Sequence, residues 1–313
     1  MKTRYYSFNQ YLQARYGTRV HRLSLNAGFT CPNRDGHLGA RGCAFCNEKG
    51  FSRFAGKNIS LREQVESSIA FAKERFKAKR FIAYFQNATG TYAPVDELKR
   101  AYDIVKDFSD IIGLFISTRP DCVDEERLDL IQSYKKKYEV WIEYGIQTIH
   151  DRSLEMMNRR HTFSQSVEAV RKTAERGIKA AAHIILGLPG ESRKDMVKTA
   201  RMLSRLPVFG VKFHALHVAK DTELESLYDR GEVELMSRGD YVTAACDFLE
   251  NLRSDCVIFR LISDARDEVL VAPKWINDKA RIIREIDDEL EARGTRQGIL
   301  APGEAGRPSN SIV

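Results

Sequence analysis

CPNRDGHLGARGCAFC, residues 31–46, places three cysteines at a C-x11-C-x2-C spacing early in a chain of 313 residues. Cys43 and Cys46 form a two-thiolate chelate whose short loop lets both sulfurs face one metal, and Cys31 joins from upstream. Gly36, Gly39 and Gly42 between them let the backbone fold closely around a bulky object. Cys122, Cys246 and Cys256 show no paired spacing and read as buried apolar thiols. Six cysteines in so long a chain do not make a disulfide scaffold, so the trio reads as a metal site. Two inorganic readings compete on spacing alone. Structural zinc needs four closed ligands, with His37 or His21 as the fourth. An iron–sulfur cluster on three cysteines leaves one iron open to a ligand.

Outward from the trio, short β-branched or aromatic runs alternate with amphipathic stretches. Strands are predicted at 20–26, 80–86, 111–117, 139–147, 179–186 and 208–214, with a weaker seventh at 256–263. Helices are predicted at 60–79, 95–108, 124–138, 164–176, 192–206 and 238–252, and a closing one at 275–293. Ser60 and Glu63 form a capping box at one helix start. Strands alternating with helices imply parallel strands and right-handed crossovers. The predicted fold is α/β, a partial (β/α)6 TIM-type barrel. Residues 1–19 form an N-terminal addition, 20–255 the barrel, 256–293 a strand and helix packed on it, and 294–313 a mobile tail rich in Gly, Pro and Ser. The gap after the first strand is the longest and holds the trio, in the loop position where barrels carry chemistry.

Composition narrows the class. The chain is 43% hydrophobic, too apolar for disorder. The opening MKTRYYSFNQ has no signal-peptide core, and no run approaches the ~18 apolar residues of a membrane span, so a cytoplasmic, soluble protein is expected. The formal charge of +7 divides unevenly, +11 over residues 1–80 and −4 over the rest. A basic first quarter suits an anionic cluster and an acidic electron donor, and equally an RNA. Tyr5, Tyr6, Phe8, Tyr11 and Tyr16 interleave with Arg4, Arg15 and Arg19, which suits base stacking or packing across the bottom of a barrel.

The segments GFTCPNRDG (28–36), GCAFC (42–46), AYFQNATGTYAP (83–94), ISTRPDC (116–122), WIEYGIQT (141–148), HIILGLPGE (183–191) and VKFHALHVAKDTELE (211–225) together resemble the radical S-adenosylmethionine (SAM) superfamily. Within it they resemble the YhcC-type family, which is related to the radical SAM subunit of the elongator complex. The resemblance runs from about Tyr16 to Lys279. It implies that Cys31, Cys43 and Cys46 hold a [4Fe–4S] cluster and that SAM binds the open iron. One-electron cleavage of SAM to a 5′-deoxyadenosyl radical, and hydrogen abstraction from a substrate, follow from it. The cofactor carries the hard chemistry and the protein places and shields it.

By the same resemblance Phe45 sits between two cluster ligands, and Gln86 ends the strand where relatives meet the SAM amino group. The segment 86–89 lacks the glycines and glutamate usual there. Gln147 and Arg159 look like the ribose and carboxylate contacts, a guanidinium fork suiting a carboxylate. His183, Ile185 and Gly187 lie in the stretch that packs on adenine and ribose. Glu143, a charge inside a strand, is expected to face the polar interior. The implied partners are a low-potential electron donor such as flavodoxin or ferredoxin and a substrate for which kinship suggests tRNA. A non-catalytic, zinc-stabilised RNA-binding protein is the alternative.

Overall fold

The computed structural model describes residues 3–47, 54, 59–263 and 265–302. Strands β1 (Val20–Leu25), β2 (Arg80–Phe85), β3 (Ile111–Thr118), β4 (Glu139–Gln147), β5 (Lys179–Leu186) and β6 (Val208–Ala215) line up in chain order, each parallel to the next. A short β7 (Val218–Ala219) leaves this sheet and pairs antiparallel with β9 (Leu270–Ala272), while β8 (Val257–Arg260) adds to β6 as a seventh parallel strand. The weaker strand predicted at 256–263 is therefore part of the main sheet. The sheet curls into a half-barrel whose edges, β1 and β8, are not paired with each other.

The crossovers are α2 (Leu61–Phe76), α3 (Val95–Tyr102), α4 (Glu125–Ser133), α6 (Phe163–Glu175), α7 (Arg193–Arg205) and α9 (Arg238–Asn251); α1 (Phe8–Tyr16), α5 (Asp151–Met156), α8 (Glu223–Asp229) and α10 (Lys279–Ala292) are accessory. Two crossover helices end earlier than predicted, their last turns tightening to 3-10 geometry at Asp103–Asp107 and Tyr134–Lys136. Ser60 caps α2 as expected, accepting from Glu63 N while the Glu63 carboxylate accepts from Ser60 N.

Alternation sorts the strand residues. Leu23, Phe81, Leu114, Ile142, Ala182 and Val211 face the helices in the main core, and their neighbours face the lumen. The lumen is closed at the N-terminal ends of the strands by α1. Phe8 stacks on Phe259 at 4.3 Å between ring centroids and meets Trp141 edge-on at 6.4 Å. Burying a ring of this size contributes about 2–3 kcal/mol, enough to hold a nine-residue helix. The aromatic N-terminus thus packs across the barrel's bottom. Glu139 lies in this floor with Tyr11, Trp141, Arg15 and Lys179 bonded to its carboxylate.

Residues 294–302 differ from the mobile tail predicted from 294 onward. Gln297 is buried, donating to the Arg253 and Cys256 carbonyls at 2.8 Å each and accepting from Tyr6 N at 2.8 Å. Residues 303–313 lie outside the described residues.

Candidate functional site: the mouth of the half-barrel

The loop after β1 carries the trio to the C-terminal ends of the strands. A turn at Cys31, whose carbonyl accepts from Arg34 N at 2.8 Å, and a second at Cys43, whose carbonyl accepts from Cys46 N at 2.9 Å, shape it. It is stapled to the segment after α5: Ala44 N donates to Met157 O, Asn33 Nδ2 to Asn158 O and Asn158 Nδ2 to Gly42 O. Leu224 N, at the start of α8, donates to Ala44 O. All three cysteines are free thiols; Cys43 is buried and the others half-buried.

Cationic donors surround Cys43. Arg159 Nη1 donates to its Sγ at 3.1 Å and Asn33 Nδ2 at 3.6 Å. Burial opposes ionisation of this thiol, but Arg159 and Arg119, with these two hydrogen bonds, outweigh it and hold the thiol below its ordinary range. Burial and the neighbouring Cys43 push Cys46 up to about 11. Arg119 pairs with Asp121 at 2.7 Å and donates to Arg159 O at 2.7 Å. Arg119 Nη1 and Arg159 Nε are nevertheless buried with no hydrogen-bond partner. Orphaned guanidinium N–H groups beside a low-lying thiol make a pocket complementary to an anion, so this donor set fits a thiolate-ligated cluster and a carboxylate. Among the described residues no three His, Cys, Asp or Glu side chains converge on a single metal ion.

The backbone here is strained in a way the sequence does not announce. Ala88, Gln147, Asn158 and Arg160 all have positive φ, at +52°, +71°, +51° and +56°, and all follow strand ends or the Cys-loop staple. Such conformations in non-glycine residues gather at functional sites.

The structure brings several of the sequence-selected residues together. Gln147 and Arg159 flank Gly145: a Cβ there would meet Gln147 Nε2 at 2.9 Å and Arg159 Nη2 at 3.0 Å. Arg159 also donates to Gly145 O at 2.7 Å. Phe45 packs against the cluster of Ala44, Met157, Ile185 and Leu188, so Phe45 and Ile185 share one apolar wall. Gln86 is half-buried at the end of β2, accepting from Ser24 Oγ at 3.4 Å. Gly187 has φ +85°, and Met236 Sδ would lie 2.7 Å from a Cβ there. The close approach that excludes a side chain at Gly187 is thus made by Met236.

His183 lies one layer deeper. Its Nε2 is 2.7 Å from Glu143 Oε2, within a polar layer across the lumen. Glu143, fully buried, also accepts from Tyr84 OH at 2.7 Å, Lys212 Nζ at 2.9 Å and Arg22 Nη1 at 3.4 Å. Arg260 reaches the layer from β8, with Nη2 2.9 Å from the His214 ring. Burial raises the Glu143 carboxyl, but Lys212, His183 and Arg22 overcome it and hold the group well below the usual range. Burial also pushes Lys212 down to about 7, Arg260 and Arg22 adding to the effect and Glu143 opposing it. Sequence reasoning anticipated Glu143 facing inward. It missed Arg119, Lys212 and Asn33; the signal that exposed Glu143, a charge within an apolar run, was equally present for Lys212 in VFGVKFHA (208–215).

Known proteins match this chain over most of its length. The family model described as "Radical SAM superfamily" matches residues 33–203, and "Radical_SAM C-terminal domain" matches 208–292. YhcC of Escherichia coli (strain K12) is 36% identical over 298 residues, 95% of this chain and 94% of that protein. A tRNA uridine(34) acetyltransferase of Methanocaldococcus jannaschii is 26% identical over 192 residues, 60% of this chain and 31% of that protein. The solved structure of Elp3 from Methanocaldococcus infernus, with its N-terminus deleted, superposes with a TM-score of 0.70 at 17% identity. That superposition covers 90% of this chain and 64% of the Elp3 chain, less than two thirds of its length. No helix among the described residues is long and apolar enough to cross a membrane, and the zinc alternative gains no support. The family match over more than half of the sequence, on a half-barrel with its cysteine loop at the mouth, makes the chain a member of the radical SAM superfamily, a radical SAM enzyme of the group whose cofactors are a [4Fe–4S] cluster and S-adenosylmethionine.

Proposed function

We propose that Cys31, Cys43 and Cys46 are the cluster ligands and that SAM lies at the mouth against Phe45, Gln86, Gln147, Arg159 and the 183–187 segment. The reading rests chiefly on one observation: Cys43 is buried against Arg159 and Arg119, each with an N–H group unpartnered. Held by these residues, the cluster and SAM would supply one-electron cleavage of the sulfonium C–S bond, the chemistry by which such enzymes abstract hydrogen from a substrate. The two guanidiniums offset the negative charge that three thiolates bring, and Arg159 Nε is the donor available to a carboxylate. Gln147, held at positive φ beside Arg159, offers an amide to a ribose hydroxyl. The apolar wall of Phe45, Ile185 and Leu188 excludes water from that side.

The substrate class we favour is tRNA, because a relative acting on tRNA shares the region; that protein is matched over only 31% of its length. A low-potential donor such as flavodoxin or ferredoxin supplies the electron, its acidic surface suited to the +11 first quarter. The cytoplasm is the compartment this chemistry fits. The test is anaerobic reconstitution with iron and sulfide, reduction, addition of SAM and measurement of 5′-deoxyadenosine. We expect about four iron per chain and nucleoside formation that Cys43→Ala abolishes. No nucleoside, or equal amounts from the variant, overturns the proposal.

A further inference from the structure

At the corner where α2 ends and β1 and β2 begin, positive charge gathers on the outside of the half-barrel. Arg19, Arg75, Lys77 and Lys79 are all exposed, and none of them has an ion-pair partner among the described residues. Lys73 and Arg80 share Asp110 at 2.9 and 3.8 Å, and Glu74 is the one acid in the segment 71–80. Three elements bring the cations together. Phe76, the last residue of α2, stacks on His21 of β1 at 4.7 Å between ring centroids. The Arg19 and Arg75 guanidiniums sit over the same ring, 5.4 and 5.7 Å from its centroid. Lys79 N donates to Arg19 O at 3.3 Å, tying the start of β2 to the start of β1. Guanidiniums seated on a ring are held in place while still exposed, a form suited to phosphate oxygens.

Lys77 points the same way. It closes α2 at φ +53°, the left-handed position where a helix ordinarily ends on glycine. A lysine there carries a conformational cost that glycine avoids. Its ammonium has no hydrogen-bond or ion-pair partner among the described residues to offset that cost. Phe71, 48% exposed, meets Phe76 edge-on at 5.8 Å and sets an aromatic face beside the cations.

An acidic electron carrier is a poor occupant for this corner, because it must bring its redox group close to the cysteines. The cysteine loop leaves the opposite end of β1, and Val20–Leu25 puts about 17 Å of strand between the two at ~3.3 Å per residue. Arg34 and Arg41, on the cysteine loop itself, are the cations of the first quarter that lie nearer to those thiols in sequence. An RNA has no such constraint, since its phosphates can run along the surface while one nucleotide enters the mouth. Cations beside an exposed aromatic ring are the surface that holds phosphates and bases together.

We infer that this corner, built from Arg19, Arg75, Lys77 and Lys79, is a docking surface for the phosphate backbone of an RNA substrate, away from the reacting nucleotide. The inference rests on the reading of tRNA as the substrate and adds where that RNA is held.

Fluorescence anisotropy of the cofactor-free protein with end-labelled bulk tRNA, over about 50 to 200 mM salt, tests it. Binding should weaken steeply with salt. The quadruple variant Arg19→Gln, Arg75→Gln, Lys77→Gly, Lys79→Gln should bind about tenfold or more weaker. Its slope of log Kd against log salt should fall by about 3, the sum of four phosphate contacts at ~0.7–0.9 each. Lys77→Gly alone should lower the slope by about 1 with Tm unchanged or higher, because glycine suits that backbone. A lysine with a merely structural role would leave the slope as it was. Arg284→Gln, exposed on α10, leaves binding unchanged. If the native protein binds tRNA and the quadruple variant binds it equally well, the inference is overturned and the tRNA reading stands. If the native protein binds no tRNA, both fall. If the variant loses affinity for ferredoxin but not for tRNA, the corner belongs to the electron carrier and the inference is overturned. The measurement needs no cluster and no turnover, so its failure is separate from failure of the SAM-cleavage test.

Discussion

Replacing Glu143 by Gln removes the carboxylate that, among the described residues, accepts from Lys212, His183, Tyr84 and Arg22 in the lumen, and the cost should depend on pH with a definite sign. Gln keeps the volume and one acceptor oxygen, so Tyr84, His183 and Lys212 compete for what four donors shared. Losing charge-assisted acceptors in a dry site costs about 2 kcal/mol irrespective of pH. The pH-dependent part comes from Lys212, whose pKa is already pushed down to about 7, burial being the largest cause and Glu143 the main opposing influence. A lysine depressed in the folded state destabilises it, by an amount that grows as pH falls below the unfolded value and is complete at the folded pKa. In the native protein that growth stops near pH 7. In Glu143→Gln the folded pKa falls further, so the penalty keeps growing below pH 7.

The variant should therefore lose about 1 kcal/mol more than the native chain for each pH unit below 7, the linkage slope of one proton. His183, lowered to about 4 in the folded state, destabilises it as pH falls through the unfolded value of about 6.5, but it does so equally in both proteins and cancels from the comparison. The carboxyl of Glu143 sits well below its usual range, so the native protein gains its contribution above about pH 4.5 and keeps it constant from 6 to 8. Urea unfolding at pH 6, 7 and 8 measures the slope, and the extra dependence should vanish when Lys212→Met is added. At roughly 2 cal/mol/K per residue, 313 residues convert 1 kcal/mol into a shift of about 1.5 °C in Tm, resolvable by calorimetry. Stability curves of Glu143→Gln and native protein that stay parallel from pH 6 to 8 would refute the coupling.

Two further perturbations test other parts of the structure. Gly187→Ala adds a Cβ at φ +85° and 2.7 Å from Met236 Sδ; a loss of about 2 kcal/mol is expected in chemical unfolding, part of it recovered by Met236→Ala. Full recovery would show that the backbone conformation carries no cost. Gln297→Ala removes two donated bonds and one accepted bond at the junction of the chain's two ends, and should cost about 2–3 kcal/mol and speed amide exchange at Tyr6. A change within 0.5 kcal/mol would mean that residues 294–302 do not dock in solution.

The fold was legible because parallel strands buried on both faces write themselves as apolar runs. All six principal strands start at the predicted residue, Val20, Arg80, Ile111, Glu139, Lys179 and Val208. The cysteine loop was legible by spacing and by its place after the first strand. What was hidden depends on residues far apart in sequence. Arg119 and Arg159 meet through a carbonyl forty positions away, and no local pattern marks either as a neighbour of Cys43. The positive φ of Ala88, Gln147 and Arg160 is unreadable because each is a residue type that ordinarily avoids it, whereas asparagine, the residue at 158, adopts it more readily. The docking of 294–302 was masked by composition: a Gly- and Pro-rich stretch has no periodicity, yet a single buried amide, Gln297, anchors it. The contact of Met236 Sδ, 2.7 Å from where a Cβ on Gly187 would lie, was equally hidden, because the two residues are forty-nine positions apart.

The floor of the half-barrel has a consequence for how the protein is made. Helix α1 leaves the ribosome some 240 residues before its stacking partner Phe259 on β8, and the neighbouring Arg4 and Tyr6 are tied to Thr295 and Gln297. At translation speeds of 5–20 residues per second, the helix waits on the order of tens of seconds for its dock. Throughout that interval Phe8, Tyr11 and Leu12 are an unsheltered apolar stripe on a nascent chain, and Phe115 and Trp141 emerge without their cover. Sealing the barrel floor therefore waits until Phe259 and Gln297 have been made, and the interval before it is when this chain most needs a chaperone.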